Sequence, residues 1–234
     1  MNCAVQAALT PVAVAIKPLL NRLVFHGIET CQDLLDPAGP RVRQGARPVL
    51  TIHALATTSL ERVTHDLVTA GLVRQRRRAP YQEELGYGER VRLLVTPVSA
   101  DDQDSPDAVA REFAVLLTRA VALAPDCAVR VSAVPAQLAL FWRAHVASGA
   151  PITESEWIED IIELVMGRHQ VVDDVSSAPP ELRAVTTHAA AEFLADDACR
   201  WVLRRTLRDA RQVPAVIEDA RGLFAQLAAL AVAG

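Results

Sequence analysis

Lysine is almost missing from this sequence: of 24 basic residues among 234, Lys17 is the only one that is not arginine. GC-rich coding produces such a bias, and arginine also brings a planar fork that suits phosphate. Aromatic residues are scarce at 4%, so the core must rest on Ala, Val and Leu, a mixture that favours close helix packing over an aromatic-rich β-sandwich. The four cysteines, Cys3, Cys31, Cys127 and Cys199, lie far apart with no C-x-x-C pair. That spacing argues against a zinc site and a small disulfide scaffold, and it fits a reducing cytoplasm.

Other signals are missing too. No stretch holds the ~18 or more uninterrupted apolar residues of a membrane span, and the nearest candidate is broken by Pro11, Lys17 and Pro18. The opening "MNCAVQAALTPVAVA" lacks the basic region that precedes an export signal. His26, His53, His65, His145, His169 and His188 show neither H-x-x-x-H nor H-E-x-x-H spacing, so no metal site and no cofactor are expected. G-x-G-x-x-G, Walker and G-x-S-x-G patterns do not occur. The acidic neighbours Glu159/Asp160, Asp173/Asp174 and Asp196/Asp197 point in different directions on a helix and read as solvated faces. Nothing here argues for an enzyme.

What is present is 51% hydrophobic residues, ample for a core, and an uneven distribution of charge. Residues 1–98 carry 12 basic and 8 acidic side chains, whereas residues 99–234 carry 12 basic and 20 acidic. Between them lies "SADDQDSPD", polar and acidic, the composition of a solvated connection. The expected organisation is therefore a domain over 1–98 and another over 99–234.

In the first half, Leu19, Leu20, Leu23, Val24 and Ile28 have helical spacing over 17–35, interrupted at Gly27. Residues 36–48, with three prolines and two glycines, read as a loop, and "VLTIHALA" fits a strand or a short helix. Residues 57–70 predict a helix with a Thr58/Glu61 capping box, a buried stripe of Leu60, Val63, Leu67 and Ala70, and Gly71 at its end. "LVRQRRRAPY" and "RVRLLVTPV" read as extended segments joined through the turn "QEELGYGE".

This order, and above all "SLERVTHDLVTAGLVRQRRR" followed by "RVRLLVTP", resembles the winged helix-turn-helix domains that bind DNA. The resemblance covers about residues 17–98 and implies a helix in the major groove with wing arginines on phosphate or in the minor groove. Helical spacing independently puts Thr58, Arg62, His65 and Thr69 on one polar face. Arg74, Arg76, Arg77 and Arg78, with Arg90 and Arg92, complete the expected double-stranded DNA surface. Two readings stay open for that arginine cluster: a solvated strand edge protected by charge, and contact with an acidic protein.

Residues 99–234 predict helices over 106–124, 134–148, 154–166, 180–211 and 214–233, with Pro135, Pro180 and Pro214 at first-turn positions. Phe141, Trp142, Trp157, Phe193 and Trp201 read as core or interface anchors ahead of a ligand pocket. Arg200, Arg204, Arg208 and Arg211 share a face that matches the acidic helix around residues 156–163.

The expected fold class is thus mainly α (α+β): an N-terminal winged-helix-like domain with a small β-hairpin and a C-terminal all-α helical domain. The expected function is a cytoplasmic DNA-binding regulator, a homodimer or a protein-bound subunit through residues 107–234, with no membrane contact. The alternative is a non-enzymatic adaptor subunit that uses the same surface for protein.

Overall fold

The computed structural model describes residues 3–30, 49–78, 82–98, 106–207 and 213–230. Up to Ala133 the described residues gather in one compact unit, and from Val134 onward in a second.

The first unit begins with helix α1 (Cys3–Ala15), a 3-10 turn (Lys17–Arg22) and strand β1 (Leu23–His26). There follow β2 (Leu50–Ala56), α2 (Leu60–Thr69), β3 (Val73–Arg78), β4 (Gln82–Tyr87), β5 (Val91–Pro97), α3 (Pro106–Leu116), β6 (Thr118–Ala124) and β7 (Cys127–Ser132). The strands form one seven-stranded sheet in the order β3-β4-β5-β2-β1-β7-β6. It is mixed: β2 runs parallel to β5 and β1 parallel to β7, whereas the other neighbours are antiparallel. Val24, Phe25, Ala54, Val95 and Val131, from the inner strands, are fully buried. α1 packs on β6 and β7, and α2 packs on β5.

This sheet overturns the expected mainly-α class, its winged-helix-like domain with a small hairpin, and its all-α region from residue 99. Three local misreadings explain the difference. In "TRAVALAPDCAVRVS" Val121, Leu123, Cys127, Val129 and Val131 are buried, as is Ser132 at its end, whereas Ala120, Ala122 and Ala128 are exposed. That is period two, the signature of a half-buried strand, and Pro125-Asp126 supplies the turn. The helix expected over 106–124 ends at Leu116, which is 65% exposed, and β6 begins at Thr118.

"QEELGYGE" forms strand β4 instead of a turn, so β3, β4 and β5 make a three-stranded meander and the reversal falls at residues 88–90. Over 17–30, Pro18 opens a short 3-10 turn, and "LVFH" extends into β1, where Leu23, Val24 and Phe25 are buried on both faces of the sheet. Gly27, at φ +104, breaks the chain out of β1. "VLTIHALA" resolves to β2. Residues 31–48, including the expected loop, and the connection at 99–105 lie outside the described residues.

The second unit, in its described residues, is helical: α4 (Val134–Ser148), α5 (Glu156–Gly167), α6 (Val171–Ser176), α7 (Pro180–Ala195), α8 (Cys199–Thr206) and α9 (Val213–Ala229). The single helix expected over 180–211 is broken after Ala195, where Asp196 Oδ1 accepts a hydrogen bond from the Ala198 N–H at 2.8 Å and closes a local turn between the two helices. α7 packs against α4 and α9, with the Phe193 and Phe224 rings 4.6 Å apart. Phe141 stacks on Trp157. Trp142 and Phe193 line an apolar cavity of only ≈ 20 Å³, room for about one water molecule, so these aromatics form core. Trp201 is 53% exposed and carries the Arg205 guanidinium 5.0 Å above its ring. Among the described residues, no helix is long and apolar enough to cross a membrane.

Candidate functional site

The helix that sequence spacing singled out begins after Ser59, with no side-chain hydrogen bond at that cap. Glu61 therefore falls at the second helical position, one short of the third that a capping box on Ser59 would need. Val63 and Leu67 are fully buried, and Arg22 fastens the helix to the 3-10 turn through Asp66 at 2.7 Å. Gly71, at φ +100, ends it in the left-handed region that side chains avoid. On the opposite side Arg62, His65 and Thr69 are exposed, with Thr58 exposed just ahead of the helix. Val68, beside that ridge, is 43% exposed.

Immediately after Gly71 the chain becomes β3, a rim of the sheet. Val73 is 67% exposed, and the side chains of Arg74, Arg76 and Arg77 are 53%, 61% and 55% exposed. Arg78 ends the strand with its backbone in register with Gln82. Arg90 is exposed in the reversal before β5, and Arg92 is exposed within β5.

The guanidiniums do not stand alone. Glu83 and Glu84, adjacent in β4, are 2% and 3% exposed and point to opposite faces of the sheet. On one face Arg74 donates two hydrogen bonds to Glu83, from Nε at 2.8 Å and from an Nη at 2.7 Å, while Arg77 Nε lies 3.6 Å from the same carboxylate. On the other face Arg76 Nε donates to Glu84 at 2.8 Å, and Arg92 Nε is 3.8 Å away. A register shift between Arg74 and Arg76 lets Arg74 and Arg77, three positions apart, share a face. The hydrogen bond to Glu83, and then its charge, hold the Arg74 guanidinium above its ordinary pKa. Of the arginines expected to meet phosphate, four are thus matched to two buried carboxylates, a pairing hidden while "QEELGYGE" read as a turn.

A second titratable cluster lies deeper in the sheet. The rings of His26 and His53, opposite one another on β1 and β2, are 5.4 Å apart. Burial, then the neighbouring His53 and Arg111, push the pKa of His26 well below the usual histidine range. Its Nδ1 has no hydrogen-bond partner among the described residues.

In the helical unit, Asp160 of α5 is buried at 6% exposure, where the sequence suggested a solvated face for Glu159/Asp160, and Glu163 one turn on is buried at 2%. The expected basic-to-acidic match involves Arg205, which bonds Glu159 at 2.7 Å and the Thr153 carbonyl. Arg200 pairs with Glu218 instead; Arg208 and Arg211 lie outside the described residues. Among the described residues, no group of three or more His, Cys, Asp or Glu is placed to hold a metal ion.

A scan against models of protein families finds no match to this chain, and a search of curated proteins finds no similar sequence.

Proposed function

We propose that this chain is a non-enzymatic binding protein, an adaptor whose α2 ridge and β3 rim contact another protein. The observation that carries this reading is the pairing of the rim arginines with the buried carboxylates of Glu83 and Glu84. A duplex-binding face must present its cations to phosphate and release counterions in proportion to the phosphates met. Here Arg74 and Arg76 hydrogen-bond to Glu83 and Glu84, with Arg77 and Arg92 at 3.6 and 3.8 Å from the same carboxylates, so half of the positive charge of these four guanidiniums is already offset. The exposed Val68 and Val73 beside them supply apolar contact, and arginine is enriched where proteins meet proteins. A reducing, cytoplasmic setting belongs to the same reading, supported by the buried, unbridged Cys127 and Cys199.

Double-stranded DNA remains the second reading because Thr58, Arg62, His65 and Thr69 stay on the solvent side of α2. One titration separates the two. Labelled random-sequence duplex at low salt should show no anisotropy change with the protein at micromolar concentration. Binding whose logarithm falls with log salt at a slope of about -4 to -5 decides for DNA. In the protein reading, a bound partner is lost on Val73→Glu and Val68→Asp, and retained in a variant changed only at Arg111.

A further inference from the structure

The two rims of the sheet are built on opposite plans. β3 carries four arginines in six residues, whereas β6 reads "TRAVALA", one charge in seven. Among the described residues nothing pairs beyond β6. The Ala133 N–H donates to the Leu117 carbonyl at 2.7 Å, and Arg119 and Val121 stand opposite Val131 and Val129. Antiparallel pairs alternate between bonded and non-bonded. Arg119 and Val121 therefore turn their backbone groups toward β7, and Thr118, Ala120 and Ala122 turn theirs outward. Ala120 and Ala122 are solvent-exposed. Just beyond, Gln6 of α1 donates to the Leu123 carbonyl at 3.3 Å, and the register shifts between Ala122 and Ala124. The open, regular stretch is thus 118–122, a low-charge rim of the kind that templates another strand.

We propose that this rim pairs with the same rim of a second copy of the chain, antiparallel across a two-fold axis at Ala120. Outward-facing residues can meet only outward-facing ones, which restricts the axis to a few positions. At Arg119 it sets arginine against arginine. At Val121 it draws in Leu123, whose carbonyl is engaged by Gln6, together with the register shift. At Ala120 it sets Thr118 against Ala122 and Arg119 against Val121 of the partner subunit, with no like charges directly opposite. β3 offers no such solution, because any antiparallel self-pairing of "VRQRRR" over five or more residues opposes arginines. The contact is isologous, so it closes on itself as a dimer. It lies on the other rim from the α2–β3 surface and stands whether that surface meets protein or DNA.

Sedimentation analysis of the full chain tests it, alongside Ala120→Pro and Ala120→Lys. Proline is tolerated in an edge strand when its missing N–H faces outward, and lysine sets two ammonium groups against each other across the axis. The unaltered chain should sediment with twice the chain mass, and both variants with half of that, their far-UV dichroism unchanged. Ala120→Cys should cross-link on oxidation, because Cα atoms in a bonded antiparallel pair lie about 5.5 Å apart, within disulfide reach. An unaltered chain of single mass at tens of micromolar, or a dimer indifferent to Ala120→Lys, overturns the proposal. If Ala120→Pro fails to fold, Ala120→Lys and the cross-link decide.

Discussion

A histidine ring set between strands gains nothing from a proton it cannot solvate. His26 faces the ring of His53 and the positive charge of Arg111, and burial adds the largest penalty, so its folded pKa is depressed. His145 of α4 is depressed as well, first by burial, with Glu192 and Asp196 opposing the shift. The unfolded chain still takes up protons near the ordinary histidine value of about 6.5. Stability from these groups is therefore complete above that pH and declines as pH falls through it, by up to about 1.4 kcal/mol per pH unit for each proton the fold refuses. Urea unfolding should show a lower midpoint at about pH 5.5 than at about pH 7.5. His26→Gln should flatten that loss; an unchanged pH dependence contradicts the role given to burial.

At the scale of elements, β4 is the least expected member of the sheet. Two adjacent glutamates and two glycines in "QEELGYG" argue for a turn on composition. The segment becomes a strand because arginines of β3 meet both carboxylates and Arg92 of β5 meets Glu84, a cross-strand compensation that composition alone does not reveal. Glu83→Gln is expected to cost about 1.5 kcal/mol, the scale of a charge-assisted hydrogen bond, and to speed amide exchange in β3 and β4 roughly tenfold while leaving β7 unchanged. Uniform acceleration across the sheet would mean that Glu83 supports the whole unit and not the meander. Other elements were legible in principle. The alternation of Val121, Leu123, Val129 and Val131 was present in β6 and β7, but the helical spacing running out of α3 masked it. α2 was read nearly to its ends because its apolar stripe and Gly71 agree, and its exposed ridge follows from the same period.

For the whole molecule, α4, α5 and α9 lie close to their expected bounds, where prolines at first turns and apolar ridges reinforce each other, whereas α6 was missed and α7 and α8 were taken as one helix. The sheet was not legible, because its two parallel pairings, β2 with β5 and β1 with β7, join segments distant in sequence. From Val134 onward the described residues belong to a compact unit distinct from the sheet's. Expressed alone, they should retain a helical dichroism spectrum and melt cooperatively; an unfolded fragment would show that the second unit depends on the first.

The parallel seam between Phe25 and Val131 also bears on how the chain is born. β1 finds β2 early, yet its other neighbour emerges more than a hundred residues later. At about 5–20 residues per second of synthesis, the apolar flank of β1 waits roughly 5–20 s for cover. Nascent chains stalled before β7 should accordingly bind chaperones or aggregate, whereas release just past Ser132 lets the sheet close.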